Sequence, residues 1–230
     1  MTDAEKLTLP KGVLWDMDGT LVNSEPFWIE GQFVLAKEHG VTWTEEDALA
    51  TVGTPLPVSA SILQAAGIDL PIEAIIRHQI AYVEQSIANA VPWQPGAREL
   101  LQALGEAGIP CAIVTMAYRS VAEIIVRNSP EGTFQAVVAG DEVTHGKPHA
   151  EPYLTGAAKI GVDPAECVAI EDSLIGAMSA EAAGVPILVV PAEKPVPAGP
   201  GRSRVASLTE IGLAELARIV NRQPIDTIGD

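Results

Sequence analysis

The stretch Val13-Leu14-Trp15-Asp16-Met17-Asp18-Gly19-Thr20-Leu21 joins an apolar run to two carboxylates one residue apart, followed at once by a Gly-Thr turn. If a strand continued through them, side-chain alternation would aim Asp16 and Asp18 at the same face. Two carboxylates that close repel unless a cation or a shared proton separates them. A bare D-x-D-G is equally readable as a solvated acidic turn. Three other places hold groups capable of chemistry: Thr115 after Ala112-Ile113-Val114, Lys147 within His145-Gly146-Lys147-Pro148, and Glu171-Asp172-Ser173 after Cys167-Val168-Ala169-Ile170. Each alone has a plain structural explanation: β-propensity for the threonine, a solvated loop for the lysine, a helix N-cap for the acidic pair. Together they are harder to dismiss. Asp16, Asp18 and Asp172, with Glu171 beside them, call for a hard cation, and carboxylate-plus-carbonyl oxygens suit Mg²⁺. A threonine and a lysine next to that ion can hold the remaining oxygens of a phosphoryl group. A carboxylate aimed at phosphorus is a competent nucleophile for an aspartyl phosphate.

For these groups to meet, the apolar runs that precede them must be neighbouring strands. Residues 11–16, 110–115, 136–139, 167–171 and 186–190 read as short buried strands, separated by helical patterns at 96–108, 119–128, 151–160 and 173–183. Such alternation predicts a Rossmann-like α/β fold, a parallel sheet with helices on both faces. In open parallel sheets ligands bind beyond the carboxyl ends of the strands, where these polar residues fall. Residues 24–40, 44–51, 58–66 and 71–90 read as helices, with Thr44 and Asp47 close to a capping box. The expected organisation is a core of 1–24 and 93–230, interrupted after its first strand by an all-helical domain over 25–92. Pro/Gly-rich residues 191–204 read as a loop, Val205–Leu208 as a last edge strand and 209–221 as a closing helix.

Composition narrows the class. With 47% hydrophobic and 19% charged residues in 230, the chain can bury a substantial core. No apolar run approaches the about 20 residues that span a membrane, and residues 1–6 show no secretory signal, so a cytoplasmic protein is expected. The net charge of −16 argues against nucleic-acid and anionic-membrane partners. Only 14 lysines and arginines are present, so any anion site must be built locally. Cys111 and Cys167 read as buried apolar side chains rather than a disulfide or metal pair. His39, His78, His145 and His149 are not at metal-ligand spacing.

With these motifs in place, the chain resembles the haloacid dehalogenase superfamily, in particular its helical-cap phosphatases and the β-phosphoglucomutase-like subfamily. D-x-D-G-T at 16–20, Thr115, Lys147 in G-K-P and E-D-S at 171–173 occur in the family's order across about 15–190. The resemblance implies an Mg²⁺-dependent phosphohydrolase with Asp16 as nucleophile and Asp18 as the acid and base that serves the leaving oxygen and then the water. It implies Mg²⁺ on the Asp16 side chain, the Asp18 backbone carbonyl and the Asp172 carboxylate, with Glu171 behind them. Thr115, the Met116 N–H and Lys147 would bind the phosphoryl oxygens, and Lys147 would also restrain Asp16. Residues 25–92 would be the cap, entered through Asn23-Ser24-Glu25-Pro26 and left at about 91–95. The implied partner is a small phosphorylated substrate, with a sugar phosphate foremost, and the expected state is a monomer.

Three departures from the family pattern bear on this. Asn23 stands where many relatives carry Asp, and Met116-Ala117 stand where a Ser or Asn often follows the threonine. Trp28 occupies the place of the cap histidine of sugar-phosphate mutases, and the loop Thr51-Val52-Gly53-Thr54-Pro55 lacks the basic residue those mutases place after the Gly. Hydrolysis is therefore expected over mutase chemistry. A dehalogenase would not need Asp18 followed by Gly-Thr, and a non-catalytic ligand-binding relative would not need all of Asp16, Asp18, Lys147 and Asp172. Phe27 and Trp28 could line a pocket or pack within the cap. Arg119 could reach a pocket mouth or cap the next helix.

Overall fold

The computed structural model describes residues 7–52, 54–192 and 194–229. The expectations placed on residues 1–6 and on Gly53 lie outside them. By its internal contacts the chain forms two compact units: one runs to Val22 and resumes at Trp93, the other is Asn23–Pro92.

The first unit holds a six-stranded sheet. Its strands are β1 (Gly12–Trp15), β2 (Cys111–Val114), β3 (Phe134–Val138), β4 (Cys167–Glu171), β5 (Ile187–Val189) and β6 (Arg202–Arg204), in the order β3-β2-β1-β4-β5-β6. Every neighbouring pair is parallel. Strands β1, β2 and β4 are buried along their whole length, as apolar runs covered on both faces must be. On one side, Leu14, Val114, Val138 and Ala169 pack with Tyr153 and Ala157 of a helix at Glu151–Lys159. The chain builds outward from β1 first to β2 and β3, then crosses over to β4, β5 and β6. That reversal leaves a crevice beyond the carboxyl ends of β1, β2 and β4.

The second unit contains four helices, α1 (Glu25–Glu38), α2 (Glu45–Thr51), α3 (Leu56–Ala65) and α4 (Ile72–Asn89), and no strand among its described residues. The Thr44–Asp47 capping box is formed in full: the Thr44 hydroxyl accepts the Asp47 N–H, and Asp47 accepts the Thr44 N–H at 2.9 Å. Back in the first unit follow α5 (Ala97–Glu106), α6 (Arg119–Asn128), α7 (Glu151–Lys159), α8 (Leu174–Ala182) and α9 (Leu213–Val220). No helix among the described residues is long and apolar enough to cross a membrane.

One expected element is wrong. The last strand is not 205–208 but Arg202–Arg204, inside the segment read as loop, and Leu208–Glu210 is a 3₁₀ turn. Polarity disguised it: β6 is Arg-Ser-Arg, yet all three residues are buried. Arg202 donates to Glu181 at 2.8 and 3.0 Å. Arg204 donates to Asp226 at 2.7 and 3.0 Å and to the carbonyls of Val196 and Gly229. Truncating Arg204 leaves Asp226 to be resolvated, since its side chain is 37% exposed, but strands the carbonyl of the buried Val196. Arg204→Ala is expected to lower unfolding free energy by about 1–3 kcal/mol in urea titration, and Asp226→Asn by less.

Candidate active site

Strand β1 stops at Trp15, so Asp16 and Asp18 are not successive same-face residues of one strand. The turn beyond it closes on itself: the N–H groups of Leu21 and Val22 donate to the Met17 carbonyl, and Gly19 N–H donates to the Val22 carbonyl. Gly19 has φ of +87°, and a Cβ there would lie 2.2 Å from Asp172 Oδ2. Only glycine satisfies both conditions. Gln94 Nε2 fastens the same turn through the Gly19 carbonyl at 2.9 Å.

Asp16 is anchored to β4 by its N–H to the Ile170 carbonyl and is 7% exposed. Its Oδ1 accepts Lys147 Nζ at 2.7 Å. The same ammonium donates to Glu171 Oε1 at 2.6 Å and lies 5.2 Å from the centre of the Tyr153 ring. Glu171 is fully buried, and Tyr153 and Ser173 each donate a hydroxyl to it, at 2.7 and 3.1 Å. Gly176 makes room for it, because a Cβ at 176 would sit 1.9 Å from the Glu171 carboxylate. Thr115, 2% exposed at the end of β2, accepts the Ala117 N–H at 3.0 Å and points its hydroxyl at Asp18 Oδ2 at 3.4 Å. Met116 is partly exposed, and its Sδ accepts the Lys147 N–H at 3.4 Å.

Asp16, Asp18, Thr115, Lys147, Glu171 and Asp172 thus cluster beyond the carboxyl ends of β1, β2 and β4. Tyr153, Gly176 and Gln94 belong to the same arrangement without having been singled out in the sequence. Their types (a helix tyrosine, a helix glycine, a loop glutamine) carry no signal of their own. Arg119, left open between two roles, begins α6 and is tied to Glu142 and to the Val137 carbonyl. Trp15 is core, and both cysteines are buried, with burial pushing their thiols up to about 12.

The electrostatics call for a cation. Burial, then the negative charge of Glu171, pushes Asp16 up to about 7 despite Lys147. Burial, then Asp16 and Glu171, pushes Asp172 up to about 9. Burial alone would push Lys147 down, but Asp16 and Glu171 overcome it and raise the ammonium above its ordinary value. Asp16 Oδ2 is buried with no hydrogen-bond partner among the described residues. One oxygen from each of Asp16, Glu171 and Asp172 lies within 4.8 Å of the others. Glu171 is fully buried, with Oε1 taken by Lys147 and Tyr153 and Oε2 by Ser173, so Asp16 Oδ2 and Asp172 are the atoms a divalent ion would take. An all-oxygen donor set of this kind fits Mg²⁺.

Comparison with known proteins agrees with the geometry. Residues 13–190 match the model of the haloacid dehalogenase-like hydrolase family. The chain belongs to that family. Hexitol phosphatase A of Escherichia coli is 34% identical over 188 residues, covering 80% of this chain and 86% of the relative. Fructose-1-phosphate phosphatase YqaB, also of Escherichia coli, is 28% identical over 176 residues, covering 76% and 93%. The crystal structure of CbbY from Rhodobacter sphaeroides in complex with phosphate superposes with a TM-score of 0.79 at 27% identity, covering 90% of this chain and 98% of that one. The expected family, fold class and phosphatase class of enzyme hold.

In this family member the raised carboxylates have a thermodynamic consequence. Asp16 and Asp172 have folded-state values of about 7 and about 9, above the ordinary 3.8, so the folded chain binds more protons than the unfolded one between those limits. Stability is therefore lost as pH rises through that window. In EDTA, the melting temperature is expected to fall from about pH 5 to about pH 9 more steeply for wild type than for Asp172→Asn. Mg²⁺ should raise the wild-type value more at the higher pH. Parallel pH profiles for the two proteins would contradict the electrostatic account.

Proposed function

We propose that this enzyme hydrolyses the phosphate monoester of a small phosphorylated metabolite, foremost a sugar phosphate, using Mg²⁺ and transferring the phosphoryl group to Asp16. The observation that supports it most is the Lys147 ammonium held between Asp16 Oδ1 and Glu171, beside the unpartnered Asp16 Oδ2 and Asp172. One oxygen of this Asp16 carboxylate, Oδ1, is oriented by Lys147 for attack, and the other, Oδ2, is open to a cation.

Asp16 Oδ2, the Asp18 backbone carbonyl and Asp172 would hold Mg²⁺, which when bound supplies neutralising charge to the carboxylates and to the phosphoryl oxygens. Lys147 orients Asp16 and meets a phosphoryl oxygen, and the Thr115 hydroxyl and Met116 N–H meet the others. Asp16 attacks phosphorus as Asp18 delivers a proton to the leaving oxygen. Asp18 then takes a proton from the water that attacks the aspartyl phosphate, releasing phosphate and restoring Asp16. Glu171 contributes by fixing Lys147 rather than by touching the ion.

The relatives' names favour a phosphorylated sugar or sugar alcohol. Trp28, in place of a cap histidine, favours hydrolysis over transfer within a sugar. We assign Asn23–Pro92 the part of the cap that selects the substrate, and infer a monomer acting in the cytoplasm.

Release of phosphate from p-nitrophenyl phosphate and a panel of sugar phosphates should depend on Mg²⁺ and disappear in Asp16→Asn. A wild type no faster than that variant on every ester would refute the proposal. Asp18→Asn should keep Mg²⁺ binding, measured by calorimetry, yet lose about 10²–10⁴-fold in turnover. Lost Mg²⁺ binding in that variant would show that the two aspartates do not divide their tasks this way.

A further inference from the structure

A second group of ligating side chains stands apart from the carboxylate cluster. His145, His149 and Glu151 lie where the chain leaves the β3–α7 connection and enters α7, and one ligand atom from each lies within 4.8 Å of the others. The chain from His145 to Ala150 is bend and turn rather than helix, so no helical pattern places these three side chains together. In sequence they therefore look unrelated.

The site is held by contacts that do not involve an ion. The Glu151 carboxylate accepts the N–H groups of Thr144 and His145 at 2.7 and 3.0 Å, and the first of these holds it below the ordinary carboxylate range. His145 Nδ1 lies 3.0 Å from Glu151 Oε2. His149 Nδ1 accepts the Glu151 N–H at 3.1 Å, and its main-chain carbonyl accepts the Ser179 hydroxyl of α8 at 2.6 Å. The imidazole rings are 4.7 Å apart, tilted by 32°, and both histidines are exposed. The His145–Glu151 pair and the His149 Nδ1 bond to the Glu151 N–H bring both imidazoles to the same helical turn, so an ion would find its ligands already assembled.

Two imidazoles and one carboxylate form an N₂O donor set that suits Zn²⁺, with a solvent-facing position left for water. Coordination through His149 Nδ1 displaces the Glu151 N–H. That is a first-turn helix amide that water can satisfy. We propose that His145, His149 and Glu151 form a Zn²⁺ site separate from the cluster around Asp16. Its ligands bracket Lys147, so an ion there tethers the segment that delivers the catalytic ammonium.

Calorimetric titration of Zn²⁺ into the Mg²⁺-saturated protein tests this without reference to phosphate release, so its failure leaves the phosphatase proposal intact. One Zn²⁺ per chain is expected, weakened at least about tenfold in His145→Ala and in His149→Ala and retained in Asp172→Asn. Both histidines are exposed, so folding is not at stake in these variants. Cobalt substitution should give the intense visible absorption of a four-coordinate ion, lost in the same two variants. Zn²⁺ binding that survives both histidine substitutions, or that disappears in Asp172→Asn alone, overturns the proposal. So does affinity no better than about millimolar.

Discussion

The buried ammonium of Lys147, lodged between Asp16 and Glu171 with its side chain 5% exposed, is the interaction on which the rest of the site depends. An unpaired ion in such a place costs several kcal/mol, and removing one partner of a buried pair commonly costs about 3–5 kcal/mol. Three carboxylates, Asp16, Glu171 and Asp172, face this single ammonium. With all of them ionised, two negative charges remain. That residue of charge, together with burial, is why Asp16 and Asp172 hold protons so far above their ordinary range. Lys147 fixes where the carboxylates stand without neutralising them, which leaves the cluster matched to a divalent cation.

The fold serves this arrangement at several scales. The sheet order puts β1 between β2 and β4, so the segments that leave those three strands converge on one edge. Lys147 arrives from further out, on the connection between β3 and α7. Smaller devices then set the atoms. Gly19 bends the turn and clears space for Asp172, Gly176 clears space for Glu171, and Tyr153 and Ser173 satisfy the Glu171 oxygens. The two hydroxyls compensate for a carboxylate taken out of water.

Much of this was legible in the sequence because polar residues interrupt apolar runs abruptly. Asp16, Thr115 and Glu171-Asp172 follow such runs at once, and the alternation of runs with helical patterns marks the parallel sheet. Three kinds of feature were not legible. Strand β6 is hidden because its buried arginines are matched by Glu181 and Asp226, partners that no local pattern predicts. Tyr153 and Gly176 look like ordinary helix residues, since what makes them matter is the distant Glu171. The meeting of His145, His149 and Glu151 depends on a loop bend, which periodicity cannot express.

Asp16, held by Lys147, is the proposed nucleophile that receives the phosphoryl group. The most direct measurement is rapid quench of a single turnover with enzyme in excess, followed by borohydride reduction and mass spectrometry of the peptide containing residue 16. An aspartyl phosphate at that position is reduced to homoserine, and the account predicts homoserine at 16 and nowhere else. Phosphate release with residue 16 unaltered, or with the reduced residue at another aspartate, would contradict it.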